Sequence, residues 1–339
     1  TRLPHALGWS FTGTASPTPL QKLWGASALC QLHFTLSHDI LGLRPARTLG
    51  YSSGETNAVF ALGAWSDMDG FITAAEDSGL FTRDIGGAFA TVKQAWETDH
   101  VDWALWTVLA PVAAVQDALA DEPRCHLAIV HTDTDCVIAG DAGACDRVRA
   151  ALQASLGAPS HRLDYHLAVH VPELGNVGER WRQLHLRPTQ GVEGVRFGRN
   201  AFADAVDASA DAIADGLTGH AVTTLDLRHG VEQAWNDGVR VFVEHGPQGA
   251  VSRWIRAILG PERLAQAVVI ALDTKAPFVE APAEGILRPV FEAAAALLAA
   301  GRPVDLASLH ASLRVSSRTP WADAAPTGPT LTFPAHAPP

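Results

Sequence analysis

The residue pattern predicts an α/β protein in two nested parts, and three stretches predict it. Gly50-Tyr51-Ser52-Ser53-Gly54-Glu55 follows a short apolar run ending in Leu49 and precedes a helix-like run at 56–62, which reads as strand, sharp turn, helix. Residues 126–130 and 136–139 read as strands around the turn-rich Thr132-Asp133-Thr134-Asp135, followed by Asp141 as the cap of a helix at 142–156 and an extended run at 163–171. Residues 239–244, the loop His245-Gly246-Pro247-Gln248-Gly249 and a helix through Leu259 then return to strand, loop and helix. The expected architecture is a large α/β-hydrolase-like subdomain in two pieces, 1–112 and 170–275. A ferredoxin-like small subdomain, 113–169, is inserted between them, and a linker occupies 276–339.

In chain order, 1–19 reads as loop, broken by Gly8, Gly13, Pro17 and Pro19. Residues 20–41 read as a helix, with Leu23, Trp24, Cys30, Phe34 and Leu41 at helical spacing and Gly42 closing it. A helix at 111–119 precedes the strands of the small part, and the resulting ββαβ run suggests the ferredoxin-like module. Residues 268–272 read as a further strand. From Ala276 the chain is Pro- and Ala-rich around one helix at 286–300 and has linker composition. No internal repeat is evident.

Composition narrows the function. Of 339 residues 47% are apolar and 18% charged, which suits a globular chain and not a disordered one. The formal net charge of −11 argues against a nucleic-acid binder, which needs a basic stripe, and against a polybasic membrane patch. No run of eighteen apolar residues is present, so a spanning helix is not expected. Thr1-Arg2-Leu3-Pro4-His5 carries no signal-like apolar core and no initiating Met, so the chain is expected to be cut from something longer. Cys30, Cys125, Cys136 and Cys145 form no CxxC pair and read as small buried residues, which fits a cytoplasmic location. The 15 histidines show no metal-ligand spacing, so neither a metal nor a bound cofactor is expected.

The chemistry centres on Ser52. In the turn Gly50-Tyr51-Ser52-Ser53-Gly54 the glycines are expected where side chains would collide as strand and helix approach each other. The N–H groups opening the following helix favour negative charge developing there. A serine nucleophile needs a base, which lies far along the chain. His170 ends the run Leu167-Ala168-Val169-His170 before Val171-Pro172, where a strand meets a loop, and alternation puts His166 on the same face.

These residues resemble the acyltransferase domains of type I polyketide synthases and polyunsaturated fatty acid synthases, relatives of malonyl-CoA:acyl-carrier-protein transacylases. The family's GHSxGE motif is matched by Gly50-Tyr51-Ser52-Ser53-Gly54-Glu55. Residues 61–69 match the stretch that follows it, and Val137-Ile138-Ala139-Gly140-Asp141 matches the small-domain pattern. Val169-His170-Val171-Pro172-Glu173-Leu174 matches the element with the catalytic His, and 238–249 the GvdtFvEvGPg element. Thr332-Phe333-Pro334 resembles the end of the post-acyltransferase linker, and Phe81-Thr82-Arg83 leans towards the polyunsaturated fatty acid synthase branch.

The resemblance implies a Ser52–His170 dyad and an acyl-serine formed from an acyl-CoA. The phosphopantetheine thiol of an acyl carrier protein then receives the acyl group, within a polypeptide of further synthase domains. It implies the Ser53 N–H as an oxyanion donor. Asp226 is the nearest counterpart of the position that orients the His, with a helix-capping role as the alternative.

Three departures bear on selectivity. Tyr51 replaces the family's His at a substrate-pocket position. The Arg that grips a malonyl carboxylate falls, counting gap-free, at Asp77, and Arg83 is the candidate substitute. The pocket tetrapeptide Leu167-Ala168-Val169-His170, with Val169 beside the base, matches neither the malonyl nor the methylmalonyl signature. The family's first strand and its GQGxQ loop have no counterpart in this sequence, Gly13-Thr14-Ala15-Ser16 being a poor stand-in, so that either the strand lies upstream of Thr1 or the oxyanion hole is built differently. The expected function is acyl transfer without malonyl selectivity; the alternatives are a thioesterase or editing hydrolase using the same dyad, and an inactive carrier-protein docking scaffold.

Overall fold

The computed structural model describes residues 18–273 and 283–318. Residues 1–17 of the expected loop at 1–19 and the Thr332-Phe333-Pro334 match lie outside them. The chain divides into two compact units. One holds the described residues up to Pro45, Arg240–Arg253 and those from Arg263 onward; the other holds Ala46–Val239 and Trp254–Glu262.

In the second unit, strand β1 (Trp103–Val108), a helix (Val112–Leu119), β2 (Cys125–Thr132), β3 (Asp135–Asp141), a helix (Ala142–Leu156) and β4 (Ser160–Arg162) follow one another. The sheet order β4-β1-β3-β2 with antiparallel neighbours is the ferredoxin-like βαββαβ arrangement. Asp141 caps the second helix by accepting from the Ala144 N–H at 3.0 Å. Val108, Ile138, Val148 and Leu152 pack sheet against helix, and Cys125, Cys136 and Cys145 fill this core as small apolar residues.

The module therefore begins at Trp103, ten residues before the boundary at 113 drawn from sequence. Trp103-Ala104-Leu105-Trp106-Thr107-Val108 shows no alternation, because it is a central strand whose first three residues are all buried. Farther on, β5 (Phe197–Arg199) and β6 (Asp204–Val206) form a hairpin, and β7 (Leu225–Asp226) adds to β2 in parallel.

The expected hydrolase-like sheet is present among the described residues only as short parallel pairings. The stretch before Ser52 pairs through one bridge, Arg47 with Arg196, flanked by Thr48 N–H to Arg196 O and Arg196 N–H to Ala46 O, each 2.9 Å. In the first unit β8 (Val241–Glu244) pairs in parallel with β9 (Val268–Ala271). A strand–turn–helix pattern is a local signal, whereas the extent of a sheet is set by distant partners.

The first unit opens with a helix, Pro19–Thr35, started by a reciprocal Thr18–Gln21 capping box. A single wide turn, Leu36–Ile40, continues it, and Gly42 follows at φ +75°, so the predicted helix at 20–41 changes type in its last turn. Ala293 and Leu297 of the helix Ala283–Ala299 bury against Ile270 and Leu272. No helix of the described residues is long and apolar enough to cross a membrane.

Candidate active site

The turn carrying Ser52 is set by its neighbours. A Cβ on Gly50 would overlap the backbone of Glu55, so only glycine lets the following helix start this close. Gly54 has open space where its Cβ would be, so the steric reason expected for both glycines holds only for the first. Ser52 sits at φ +52°, a left-handed conformation costly for a residue with a side chain. Tyr51 O accepts from the Gly54 N–H at 2.9 Å and Ser52 O from the Glu55 N–H at 3.2 Å, opening the helix Gly54–Ala61. Among the described residues the Ser53 N–H at the head of that helix has no acceptor.

His170, the expected base, faces this serine. Its Nε2 lies 3.0 Å from Ser52 Oγ, and its Nδ1 lies 2.7 Å from the carbonyl oxygen of His220. A carbonyl only accepts, so the proton is on Nδ1 and the Nε2 lone pair meets the serine hydroxyl, the tautomer a general base requires. The His170 N–H donates to Ala221 O at 2.7 Å, and the residue itself is held at φ +60°. Complete burial, reinforced by His220, pushes its pKa down to about 3 against the opposing effect of the backbone bond.

The partner of His170 Nδ1 is thus a main-chain carbonyl of the helix Ala210–Val222, and Asp226, the residue expected to orient the imidazole, is engaged elsewhere. Asp226 caps the helix Leu227–Asn236, accepting from the Arg228 N–H at 3.0 Å, and its carboxylate is further engaged by the Arg228 guanidinium. His166 is exposed, 3.6 Å from Asp164. The run at 163–171 makes one bridge, Leu167 with Gly86, and the positive φ at His170 ends the alternation that would have aligned the two imidazoles.

Behind His170 is a buried polar cluster. Glu55 Oε1 accepts from the Asn200 N–H and from Asn200 Nδ2, each at 2.8 Å, and Asn200 Nδ2 also reaches Gly50 O. Glu55 Oε2 is 3.1 Å from His220 Nδ1, and the His220 ring stacks on His170 with centroids 5.1 Å apart. Glu55 was visible in the motif; Asn200 and His220 lie in stretches with no chemical signature. Glu173, just past the base, accepts from Trp96 Nε1 at 2.8 Å and pairs with His126 of β2 at 2.7 Å, fixing the loop that follows His170.

The remaining predicted pocket residues are spread out. Tyr51 hydrogen-bonds His131 at 2.8 Å, and burial, then the Asp135 charge, raises its pKa, so the phenol stays protonated. Val169 is half-buried beside the base. Asp77 is exposed in the last turn of the helix Met68–Asp77, and among the described residues no ion pair joins it to the dyad. The Arg83 side chain is 57% exposed and grips both oxygens of Asp84 at 3.0 Å. Arg180 binds the same carboxylate at 2.7 Å. Burial works against the Asp84 charge, but the two guanidinium groups outweigh it and hold its pKa below the usual range. Among the described residues no cluster of three His, Cys, Asp or Glu side chains is arranged to hold a metal.

The same fold recurs in known proteins, although no protein-family model matches the chain. The acyltransferase domain from the second module of the salinomycin polyketide synthase superposes with a TM-score of 0.66 at 21% identity, covering 90% of this chain and 67% of that one. The malonyl-CoA:acyl carrier protein transacylase of Xanthomonas oryzae pv. oryzae superposes with a TM-score of 0.63 at 21% identity, covering 76% and 77%. The chain is 25% identical over 254 residues to a polyunsaturated fatty acid synthase polypeptide of a Thraustochytrium species, 68% of this chain. The fold is that of the acyltransferase domains on which it superposes, and part of the chain is similar to polyunsaturated fatty acid and polyketide synthases. It spans 12% of the length of the Thraustochytrium polypeptide. It also spans 8% of a highly reducing polyketide synthase of Aspergillus luteorubrus, to which it is 26% identical over 276 residues.

Proposed function

We propose that this acyltransferase-type domain moves an acyl group from a CoA or carrier-protein thioester to the phosphopantetheine thiol of a carrier protein, through an ester on Ser52, within a larger fatty-acid or polyketide synthase. The 3.0 Å Ser52–His170 contact, with the proton fixed on Nδ1, is the observation that carries the reading.

Ser52 Oγ attacks the thioester carbonyl carbon while its proton passes to His170 Nε2. The tetrahedral oxyanion accepts a hydrogen bond from the free Ser53 N–H, where the helix N-terminus adds favourable potential. Collapse expels the CoA sulfur, which takes the proton from His170. The incoming phosphopantetheine thiol then gives its proton to the same nitrogen, attacks the acyl-serine, and Ser52 Oγ leaves and is reprotonated. Every proton in these steps is carried by His170 Nε2.

Uncharged acyl groups are the expected cargo. Arg83 is committed to Asp84, and Asp77 stands where a carboxylate-binding Arg is expected from the resemblance. Neither residue therefore offers a free cation to offset the solvation that a carboxylate loses on entering the cleft.

Intact-mass spectrometry across a panel of acyl-CoAs tests the reading. Wild-type protein should gain one acyl mass that Ser52→Ala does not, and added carrier protein should remove it onto its own thiol. Release of free acid without carrier protein would instead make the domain a hydrolase, and no labelling at all would leave a docking role.

A further inference from the structure

Tyr51 stands directly before the nucleophile, and the steps above make no use of its side chain. Its hydroxyl lies 2.8 Å from Nε2 of His131, His131 Nδ1 lies 2.9 Å from Asp135 Oδ1, and Asp135 Oδ2 accepts from Trp254 Nε1 at 2.9 Å. The carboxylate accepts, so Nδ1 of His131 carries the proton and its Nε2 accepts from the Tyr51 hydroxyl. The imidazole lies flat on the Trp254 indole, with centroids 3.7 Å apart and planes 5° from parallel, and the Tyr51 ring is 5.1 Å from the same indole. His131 is buried at the end of β2, and Asp135 opens β3. The tip of Tyr51 is thereby tied to the hairpin of the ferredoxin-like module.

The main chain of the same turn is held from the other side. Asn200 Nδ2 binds Gly50 O, and Tyr51 O accepts the Gly54 N–H. Between these attachments Ser52 keeps its φ of +52°. A side-chain-bearing residue persists in that region only where its surroundings over-determine it.

We propose that Tyr51 is a positioning residue: its phenol, fixed by the Asp135–His131 chain, braces the turn so that Ser52 Oγ stays within reach of His170. The proposal rests on Ser52 being the nucleophile and not on which acyl group it carries. Tyr51 is a brace here and not a second nucleophile, since its hydroxyl is protonated and gives its hydrogen bond to His131.

A fluorophosphonate tests this independently of the natural substrate. The Ser52 Oγ–P bond forms, the P–F bond breaks, fluoride leaves, and the serine proton goes to His170. Intact mass and peptide mapping follow the reaction over a range of probe concentrations at 15 °C. Tyr51→Phe removes one oxygen and should lower the maximal rate roughly three- to tenfold, the worth of one lost hydrogen bond, with the half-saturating concentration within about twofold of wild type. His131→Phe should do the same, and the double variant should be no slower than the slower single, because both remove one bond. Asp135→Asn is the second probe if Tyr51→Phe does not fold, with a loss of about twofold or more expected.

A purely architectural Tyr51 predicts a lowered melting temperature with an unchanged maximal rate, and that result overturns the proposal. Losses that multiply in the double variant, or a label on Tyr51, overturn it equally. If no acyl-CoA acylates the protein, the acyl-transfer reading falls while this test still reads the brace.

Discussion

Burial of His170 predicts an unusual pH profile for acylation. An imidazole near its ordinary value of about 6.5 is only about 3% neutral at pH 5, so a base of that kind would lose roughly thirtyfold in rate between pH 8 and pH 5. His170 is held at about 3 by burial and by the stacked His220, with its Nδ1 proton pinned to a backbone carbonyl. At pH 5 it is still about 99% neutral, so the single-turnover acylation rate should stay within about twofold across pH 5 to 8. The assay is rapid quench of the protein with an uncharged acyl-CoA and quantitation of acyl-Ser52 by intact mass, using short pulses from a common pH 7.5 stock. Circular dichroism at each final pH shows that the fold survives the pulse. A thirtyfold fall with a midpoint near 6.5 would refute the argument, for it would mean that water reaches His170 and that the proton on Nδ1 no longer decides its state.

Other consequences can be measured alongside. Asp226→Ala should leave acylation unchanged and cost about 1 kcal/mol of stability in urea, the loss of a helix cap; a large drop in acylation would reinstate Asp226 as the orienter. Gly54→Ala should fold with a melting temperature close to wild type, whereas Gly50→Ala should fail to fold or melt far lower, because only the second adds a methyl against the Glu55 backbone; equal behaviour of the two would contradict the geometry of the turn. Malonyl-CoA should acylate Ser52 roughly ten- to a hundredfold more slowly than uncharged acyl-CoAs, each factor of ten being about 1.4 kcal/mol, and Asp77→Arg should narrow the gap. Strong malonyl selectivity that vanishes in Arg83→Ala would instead make Arg83 the carboxylate anchor. His170, His185 and His245 have folded values lowered to about 3, 4 and 4 by burial, so the unfolded chain binds protons first. Stability should therefore fall as pH drops from about 6.5 towards 4, by about 1.4 kcal/mol per pH unit for each group, and a urea midpoint flat over that range would count against their burial.

The turn carrying Ser52 and the distant His170 that meets it were legible because both are written as short contiguous motifs. The partner of His170 Nδ1 was not, because it is a carbonyl oxygen, which every residue possesses and no side chain announces. Tyr51 was visible as a departure from the family motif, yet its partners His131, Asp135 and Trp254 are separated by up to 203 positions in the numbering and meet only through the fold. The ferredoxin-like pattern was readable from its second strand onward, while β1, buried on both faces at its start, lacks the alternation that marks a half-exposed strand. Arg83 looked available in sequence, and only three dimensions show that its neighbour Asp84 already holds it.

The antiparallel pairing of β1 with β4 has a practical consequence. The Leu163 N–H donates to Leu105 O at 2.9 Å, so the chain leaves the ferredoxin-like module beside the strand by which it came in. A module whose two ends meet is a cassette: it can be cut out and bridged by a few residues, or exchanged for the equivalent piece of a related domain, without asking the rest of the chain to span a new distance. The transplant would carry His131 and Asp135 with it and leave Tyr51 and Trp254 behind. Chimeras would thus inherit the serine and its base from the recipient, but receive half of the brace beside them from the donor.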